Sequence, residues 1–387
     1  MSNEWPRLPL GDVITLQRGF DLPTQDRKPG NVPIVSSSGV SGYHSAIGVA
    51  GPGVVTGRYG TIGQVFFIEE DYWPLNTTLW VKDFQGNDPR FVSHLLRTID
   101  FRSCSDKSSV PGVNRNDLHR IPVSVPALRE QKEIAKFLGT FDKKIGLNQR
   151  MNVTLEEIAK EIFKSWFVRF DPVRAKIDGR RPFGMESRTA ALFPGRFSEK
   201  DLGRVPAGWK PERWGALATL EYGRSLQNYA TGQAEFPVYG TNGLIGWHSK
   251  PLCTKPGIII GRKGAYRGVH LSRTPFYVID TAFYLSLKTE LDLYWAYFEL
   301  LRFDINGMDS GSAIPSTSRE DFYAIPVVVP PLPIMKAFGE TASLLYRKID
   351  SNLAESATLV ALRDLLLPKL ISGEIRLKDA EKELAAI

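Results

Sequence analysis

Residues 204 apart in this sequence match one another, and the register holds without insertion or deletion across more than a hundred positions. Val32-Pro33-Ile34-Val35-Ser36-Ser37-Ser38-Gly39 reads against Phe236-Pro237-Val238-Tyr239-Gly240-Thr241-Asn242-Gly243. Gly57-Arg58-Tyr59-Gly60 reads against Gly261-Arg262-Lys263-Gly264, and Arg115-Asn116-Asp117-Leu118 against Arg319-Glu320-Asp321-Phe322. A period this long is a duplicated domain rather than a solenoid repeat. Such a chain must fold one architecture twice, and a partner with two related parts is expected.

Each copy has a globular part and a helical part. The globular part alternates short β-branched and aromatic runs with Gly/Pro turns, as in Gly53-Val54-Val55-Thr56, Gln64-Val65-Phe66-Phe67-Ile68 and Thr78-Leu79-Trp80-Val81. These read as strands. A short helix is expected over 91–99, and a proline-bounded strand closes each copy at Ile121-Pro122-Val123 and Ile325-Pro326-Val327.

From about Leu128 to Phe167 proline is absent, and Ile134, Leu138, Phe141, Ile145, Leu155, Ile162 and Trp166 recur in steps of three and four or their sums. That spacing predicts a long helix with a coiled-coil seam. A second runs over about 334–367, with Phe338, Ala342, Leu345, Ile349, Leu359 and Leu366 at its seam. Asn148 and Asn352 interrupt both seams at equivalent places. Antiparallel packing about a pseudo-twofold axis would bring the two together as a register device; otherwise both face solvent. The polar connector between, roughly 171–206, reads as a linker.

Composition is that of an ordinary globular chain, and the net charge of +7 favours a polyanionic partner only mildly. The excess is uneven, +6 over 1–204 against +1 over 205–387. The two cysteines, Cys104 and Cys253, are not equivalent under the offset, so neither a disulfide nor a zinc site is expected. No apolar leader or membrane span is seen, and a reducing cytoplasm is the simple reading. The chain lacks a phosphate-binding Gly-rich loop, an amino-methyltransferase tetrapeptide and a nucleophile elbow. Glu130-Gln131-Lys132, the tail of a nuclease-like motif, reads as a solvent-facing helix start. A self-contained enzyme is therefore disfavoured.

What remains is a set of polar loops at equivalent places. Glycines in Gly-Arg-x-Gly let the backbone turn tightly, and Arg58 and Arg262 each offer a planar fork suited to guanine or phosphate; a purely structural turn would also recur. Beside them stand Tyr59 and Thr61, and Lys263, Tyr266 and Arg267. Ser36, Ser37 and Ser38 answer to Gly240, Thr241 and Asn242, with Tyr239 just before them; Asn76 to Asp280; and Asn114 and Arg115 to Ser318 and Arg319. A repeated aromatic-His pair, Tyr43-His44 and Trp247-His248, either reaches a nucleic acid or braces its own loop.

Longer runs carry a family resemblance. Ala159-Lys160-Glu161-Ile162-Phe163-Lys164-Ser165-Trp166-Phe167-Val168-Arg169-Phe170-Asp171-Pro172-Val173 is similar to the central conserved region of type I restriction-modification specificity subunits. Leu365-Leu366-Leu367-Pro368-Lys369-Leu370-Ile371-Ser372-Gly373-Glu374-Ile375 is similar to their distal one. The resemblance implies an α+β fold of two tandem α/β target-recognition domains, each followed by a long helix, the helices forming an antiparallel coiled-coil spacer. It places recognition domains at 1–127 and 206–331, spacer helices at 128–170 and 332–370, a linker at 171–205 and a tail at 371–387. The chain is then expected to bind double-stranded DNA at a bipartite target, one half per domain, and to perform no chemistry. Two methyltransferase subunits would dock on the helices, with Phe163, Trp166, Phe167, Leu366 and Leu367 as candidate contacts, and a motor-nuclease subunit would join them. S-adenosylmethionine, ATP and Mg2+ would serve those partners, and no membrane is involved. A coiled-coil adaptor with protein-binding ends is the alternative.

Overall fold

The computed structural model describes residues 5–104, 112–200, 203–229, 235–308 and 315–385, and in it the strands themselves carry the offset. Val32–Ser36, Gly39–His44, Gly53–Gly57, Val65–Ile68, Trp73–Pro74 and Thr78–Asp83 recur, residue for residue, as Phe236–Gly240, Gly243–His248, Gly257–Gly261, Val269–Ser272, Tyr277–Val278 and Ala282–Leu287. In the first copy Thr15–Arg18, Thr78–Asp83, Gly53–Gly57 and Val65–Ile68 lie side by side as an antiparallel sheet. A three-stranded sheet sets Gly39–His44 antiparallel and Trp73–Pro74 parallel to Val32–Ser36. The second copy repeats both orders, with Ala218–Tyr222 in the place of Thr15–Arg18. Even the register shift between Ile34 and Val35 returns between Val238 and Tyr239.

Local chemistry explains the shared elements. Val54-Val55 and Ile258-Ile259-Ile260 are continuous apolar runs because each strand is covered on both faces. The short helix Pro89–Arg97 starts where the Asp88 carboxylate accepts the Phe91 N–H at 2.8 Å and Pro89 fills the first turn. Its counterpart Leu293–Leu300 starts at Asp292, which accepts from Trp295 N at 3.0 Å. The long helices span Leu128–Phe167 and Leu332–Ser372, the second continuing through Pro368 and ending before Gly373, whose φ of 79° suits a helix C-terminus.

The chain divides into two compact units, 1–150 with 352–387, and 151–351, so each unit takes one part of each long helix. Unit 1 packs Phe91, Leu95, Ile134, Leu138 and Phe141 with Leu366, Leu367, Leu370 and Ile371 in one core. The helix segments run antiparallel there. Asn148 meets Asn352 and Ser356, Lys144 meets Glu355 at 3.2 Å, and Asp142 meets Arg363 at 2.8 Å. Asn148 and Asn352 are both buried, and Asn148 Nδ2 donates to the Asn352 carbonyl at 3.4 Å and to Glu355 Oε2 at 2.9 Å. The solvent-facing alternative is thereby excluded.

Three expectations are corrected. Phe163, Trp166 and Phe167 lie in the unit 2 core against Phe338, and Leu366 and Leu367 lie in the unit 1 core, so none is on a surface that a partner would meet. Helical spacing could not put adjacent Trp166 and Phe167 on one seam, but a second layer covers both: Phe193 packs on Trp166 at 5.3 Å and Trp209 on Phe167 at 5.9 Å. The residues supplying that layer show that the linker is no free tether. It forms helices Asp171–Ile177 and Ser187–Leu192 and contributes Val173, Met185, Ala190 and Phe193 to the unit 2 core. Finally, Glu130 and Gln131 are not a solvated face. Glu130 accepts from Trp5 Nε1 at 3.2 Å and from Arg376 at 2.9 Å, while buried Gln131 accepts from Asp88 N and donates to Asn87 and Pro126.

Candidate nucleic-acid interface

The two glycines of Gly-Arg-x-Gly are demanded by the turn. A Cβ on Gly57 would sit 1.9 Å from the Thr61 carbonyl oxygen, and one on Gly261 2.5 Å from that of Thr241. Gly60 and Gly264 have φ of 75° and 113°, conformations that favour glycine. The arginine is under no such constraint. Its backbone, with that of the next residue, donates to the Thr77 carbonyl in copy one and to the Thr281 carbonyl in copy two. The carbonyls of Arg58 and Arg262 accept from Val113 N at 3.1 Å and Thr317 N at 2.8 Å. These bonds bring the loops bearing Asn114-Arg115 and Ser318-Arg319 against the arginine turns. The serine turn joins from the other side, since Gly60 faces Ser37 and Gly264 faces Thr241.

The structure therefore gathers Arg58, Tyr59, Ser37, Asn114 and Arg115 at one end of copy one, and Arg262, Lys263, Thr241, Ser318 and Arg319 at the matching end of copy two. Several of these also have local work. Asn114 and Ser318 cap short helices, accepting from Asn116 N at 2.9 Å and Asp321 N at 3.1 Å. Ser36 Oγ donates to the Gly39 carbonyl at 3.0 Å and also bonds Ser38 Oγ, while Asn76 donates to Asp21. Thr61 is half-buried in its turn; Asn242 and Tyr266 are exposed. Arg319 binds the Tyr323 hydroxyl at 2.9 Å, and that bond pushes its guanidinium's basicity further up.

Other candidates stand elsewhere. Tyr43-His44 and Trp247-His248 lie at the ends of their hairpins remote from the serine turn. His44 is buried and its Nδ1 accepts from Lys28 N at 3.0 Å, so it braces its loop and does not read. His248 Nδ1 pairs with Lys250 in the same manner. Arg267 is corrected as well: at 4% exposure, its guanidinium donates to the carbonyls of Gly264 and Asn306 at 3.2 and 2.7 Å. Tyr239 packs edge-on to Phe276.

Sequence reading missed Arg18 and Tyr222. They are equivalent under the offset but unlike in chemistry, so the repeat gave them no mark. Arg18 lines the same cleft as Arg58, Tyr59 and Arg115. Tyr222 carries Arg262 over its ring at 4.6 Å and Arg319 at 5.4 Å. A second repeat-hidden equivalence lies beneath: His119 Nε2 accepts from Leu16 N, and the Tyr323 hydroxyl accepts from Leu220 N, both at 3.0 Å. Burial, and then Arg115, lower the basicity of His119, keeping it an acceptor. Among the described residues no cluster of side chains could hold a metal ion, and no helix is long and apolar enough to cross a membrane. Convergent arginines, aromatic faces and short polar side chains form a surface suited to a polyanion with flat, hydrogen-bonding edges.

Comparison with known proteins points the same way. The type I restriction modification DNA specificity domain family matches residues 2–157. The MjaIX type I restriction enzyme specificity subunit of Methanocaldococcus jannaschii is 24% identical over 302 residues, covering 72% of this chain and 66% of that protein, slightly under two thirds of its length. The HindI type I specificity subunit of Haemophilus influenzae is 23% identical over 385 residues, covering 81% and 84%. A solved type I restriction-modification S subunit from M. genitalium shares the fold, with a TM-score of 0.59 at 18% identity over 96% of this chain and 97% of that one.

Proposed function

We propose, from a chain identified as similar to type I restriction-modification specificity subunits over most of its length and carrying their DNA specificity domain at residues 2–157, that this protein reads a two-part DNA target, one part per copy. Members of that family contribute recognition rather than chemistry to their complexes. The observation that carries the reading is the duplication. Six strands recur residue for residue, while the exposed positions at the arginine turns differ, Tyr59 against Lys263 and Arg18 against Tyr222. A shared scaffold with divergent loops fits two half-sites of different sequence.

The long helices act as the spacer. Each contributes to both units, and a helix of this length spans about 60 Å, more than one DNA turn of roughly 34 Å. The buried Asn148–Asn352 contact holds their register. Methyltransferase subunits dock on the apolar side chains that the helices leave exposed, among them Leu147, Val153, Ile158, Leu344 and Leu353. S-adenosylmethionine, ATP and Mg2+ belong to those subunits and to the motor-nuclease subunit.

The test inserts four residues into each long helix at the unit boundaries, after Arg150 and after Ser351, lengthening each by about 6 Å. Methylome sequencing of cells expressing the chain with its methyltransferase should show both half-sites kept and the gap between them changed. An unchanged gap would remove the spacer role.

A further inference from the structure

We propose that the equivalent positions Arg18 and Tyr222 make the two recognition sites grip DNA by different means: a phosphate cleft in copy one, and a stacked arginine pair presenting a base-reading edge in copy two. This rests on the DNA-recognition reading above.

In copy one, Arg18, Arg58 and Arg115 line a single cleft of about 410 Å³ with Tyr59. Arg58 lies over the Tyr59 ring at 4.6 Å. Arg18 is paired with Asp21 at 3.1 Å, and both side chains are half exposed or more. The Arg115 side chain is exposed and makes no hydrogen bond or ion pair among the described residues. Three guanidinium groups, one of them paired with Asp21, concentrate positive charge on one cleft. That suits a tetrahedral anion with oxygens on every side, a backbone phosphate.

In copy two the Arg18 position is Tyr222, and the Leu79 position is Phe283, whose ring lies 5.0 Å from that of Tyr222. This aromatic bed takes both arginines, Arg262 at 4.6 Å from the Tyr222 centroid and Arg319 at 5.4 Å. Hydrogen bonds then fix their planes. Arg262 Nη1 donates to the Asp280 carbonyl at 3.0 Å, and Arg319 donates through Nε and Nη2 to the Tyr323 hydroxyl at 3.2 and 2.9 Å. Stacking uses a face of Arg262 and the carbonyl uses one nitrogen, so what remains is an in-plane edge of donors already ordered. An ordered donor edge matches the paired O6 and N7 acceptors of guanine, and its rotamer entropy is spent before binding.

The experiment uses the chain assembled with its methyltransferase subunits. Binding is measured on duplexes substituted one base pair at a time across both half-sites, at a series of salt concentrations. Arg18→Gln should weaken every duplex alike and reduce the slope of log K against log salt by about 1. Tyr222→Leu should relax the preference for one guanine of the second half-site by roughly tenfold and leave the salt slope unchanged. Tyr222→Phe, which keeps the ring, should preserve that preference, and it separates loss of stacking from loss of folding. Arg18→Gln altering base preference, or Tyr222→Leu altering only the salt slope, would overturn the division. A wild-type complex that binds all duplexes alike would instead sink the recognition reading itself.

Discussion

The same place in the two units is built from opposite chemistry. In unit 1 the helix Pro89–Arg97 presents His94 beside Asp142, which is bridged by Arg97 at 2.9 Å and Arg363 at 2.8 Å. In unit 2 the equivalents of His94, Asp142 and Arg363 are Phe298, Tyr346 and Ala159, all in an aromatic core where Phe298 stacks on Phe163 at 5.6 Å. One backbone thus tolerates either an ion network or an aromatic cluster against its long helices. The difference teaches that the duplicated fold is set by strand order and helix phase, and that the chemistry filling its core is free to change.

The largest test of the comparison is core truncation. Phe163 and Leu367 are equivalent and both buried. Phe163→Ala should cost about 3–5 kcal/mol and Leu367→Ala about 2–5 kcal/mol. Amide hydrogen exchange should show each variant opening its own unit first, 151–351 for the former and 1–150 with 352–387 for the latter. Equal opening of both units by either variant would mean that they are one cooperative block.

Acid should separate the units next. Burial first, then Arg97, Arg90 and Arg363, push the His94 imidazole down to about 3, with Asp142 opposing. The folded chain keeps His94 neutral where an unfolded chain protonates it, so unit 1 loses stability as pH falls from about 6.5 toward about 3, by up to about 1.4 kcal/mol per pH unit. Burial pushes the Asp142 carboxyl up, but Arg97 and Arg363 outweigh it and hold it low. Its contribution is also lost as pH falls through the carboxylate range. Unit 2 goes the other way. Burial holds the carboxyls of Asp292 and Glu299 up, so each favours the folded state in acid and loses that contribution as pH rises through its folded pKa. Exchange at pH 4.5 should therefore show unit 1 opening before unit 2. His94→Phe, copying unit 2, should narrow the gap, and at pH 7 it should stabilise unit 1 by about 1 kcal/mol, because neither ring nitrogen of His94 has a hydrogen-bond partner among the described residues. An unchanged gap in that variant would acquit the histidine.

The smallest effect is at the helix caps. Asp88→Ala should cost about 1 kcal/mol. Asp292→Ala should cost less, because burial already disfavours its charged carboxylate. Thermal melts of the two variants at pH 7 give the order directly, and a reversed order would place the cap chemistry elsewhere.

Much of this architecture was legible in the sequence, because the information lay in periodicity. A fixed offset needs no contact to be seen, and the seam from Ile134 to Trp166 is buried or half-buried as its spacing demands. Asn148 and Asn352 stood out because they broke that spacing. The interface was less legible, for a physical reason in each case. Arg18 and Tyr222 are dissimilar, so no repeat could pair them. The role of His44 stayed open between reaching out and bracing its loop because the N–H it accepts, at Lys28, is sixteen residues away. Phe163 and Phe167 stand off the seam that Trp166 joins, and a helical wheel does not include Phe298 and Trp209, which cover them.

The division of each long helix between units has a consequence for synthesis. Residues 151–351 contain everything in unit 2, so that unit can close as soon as they have left the ribosome. Unit 1 cannot. Leu138 and Phe141 emerge early but share their core with Leu366, Leu367, Leu370 and Ile371. The earliest-made domain therefore stays open through the longest stretch of translation. A premature stop near residue 351 would spare the later-made domain and leave the first one unfinished.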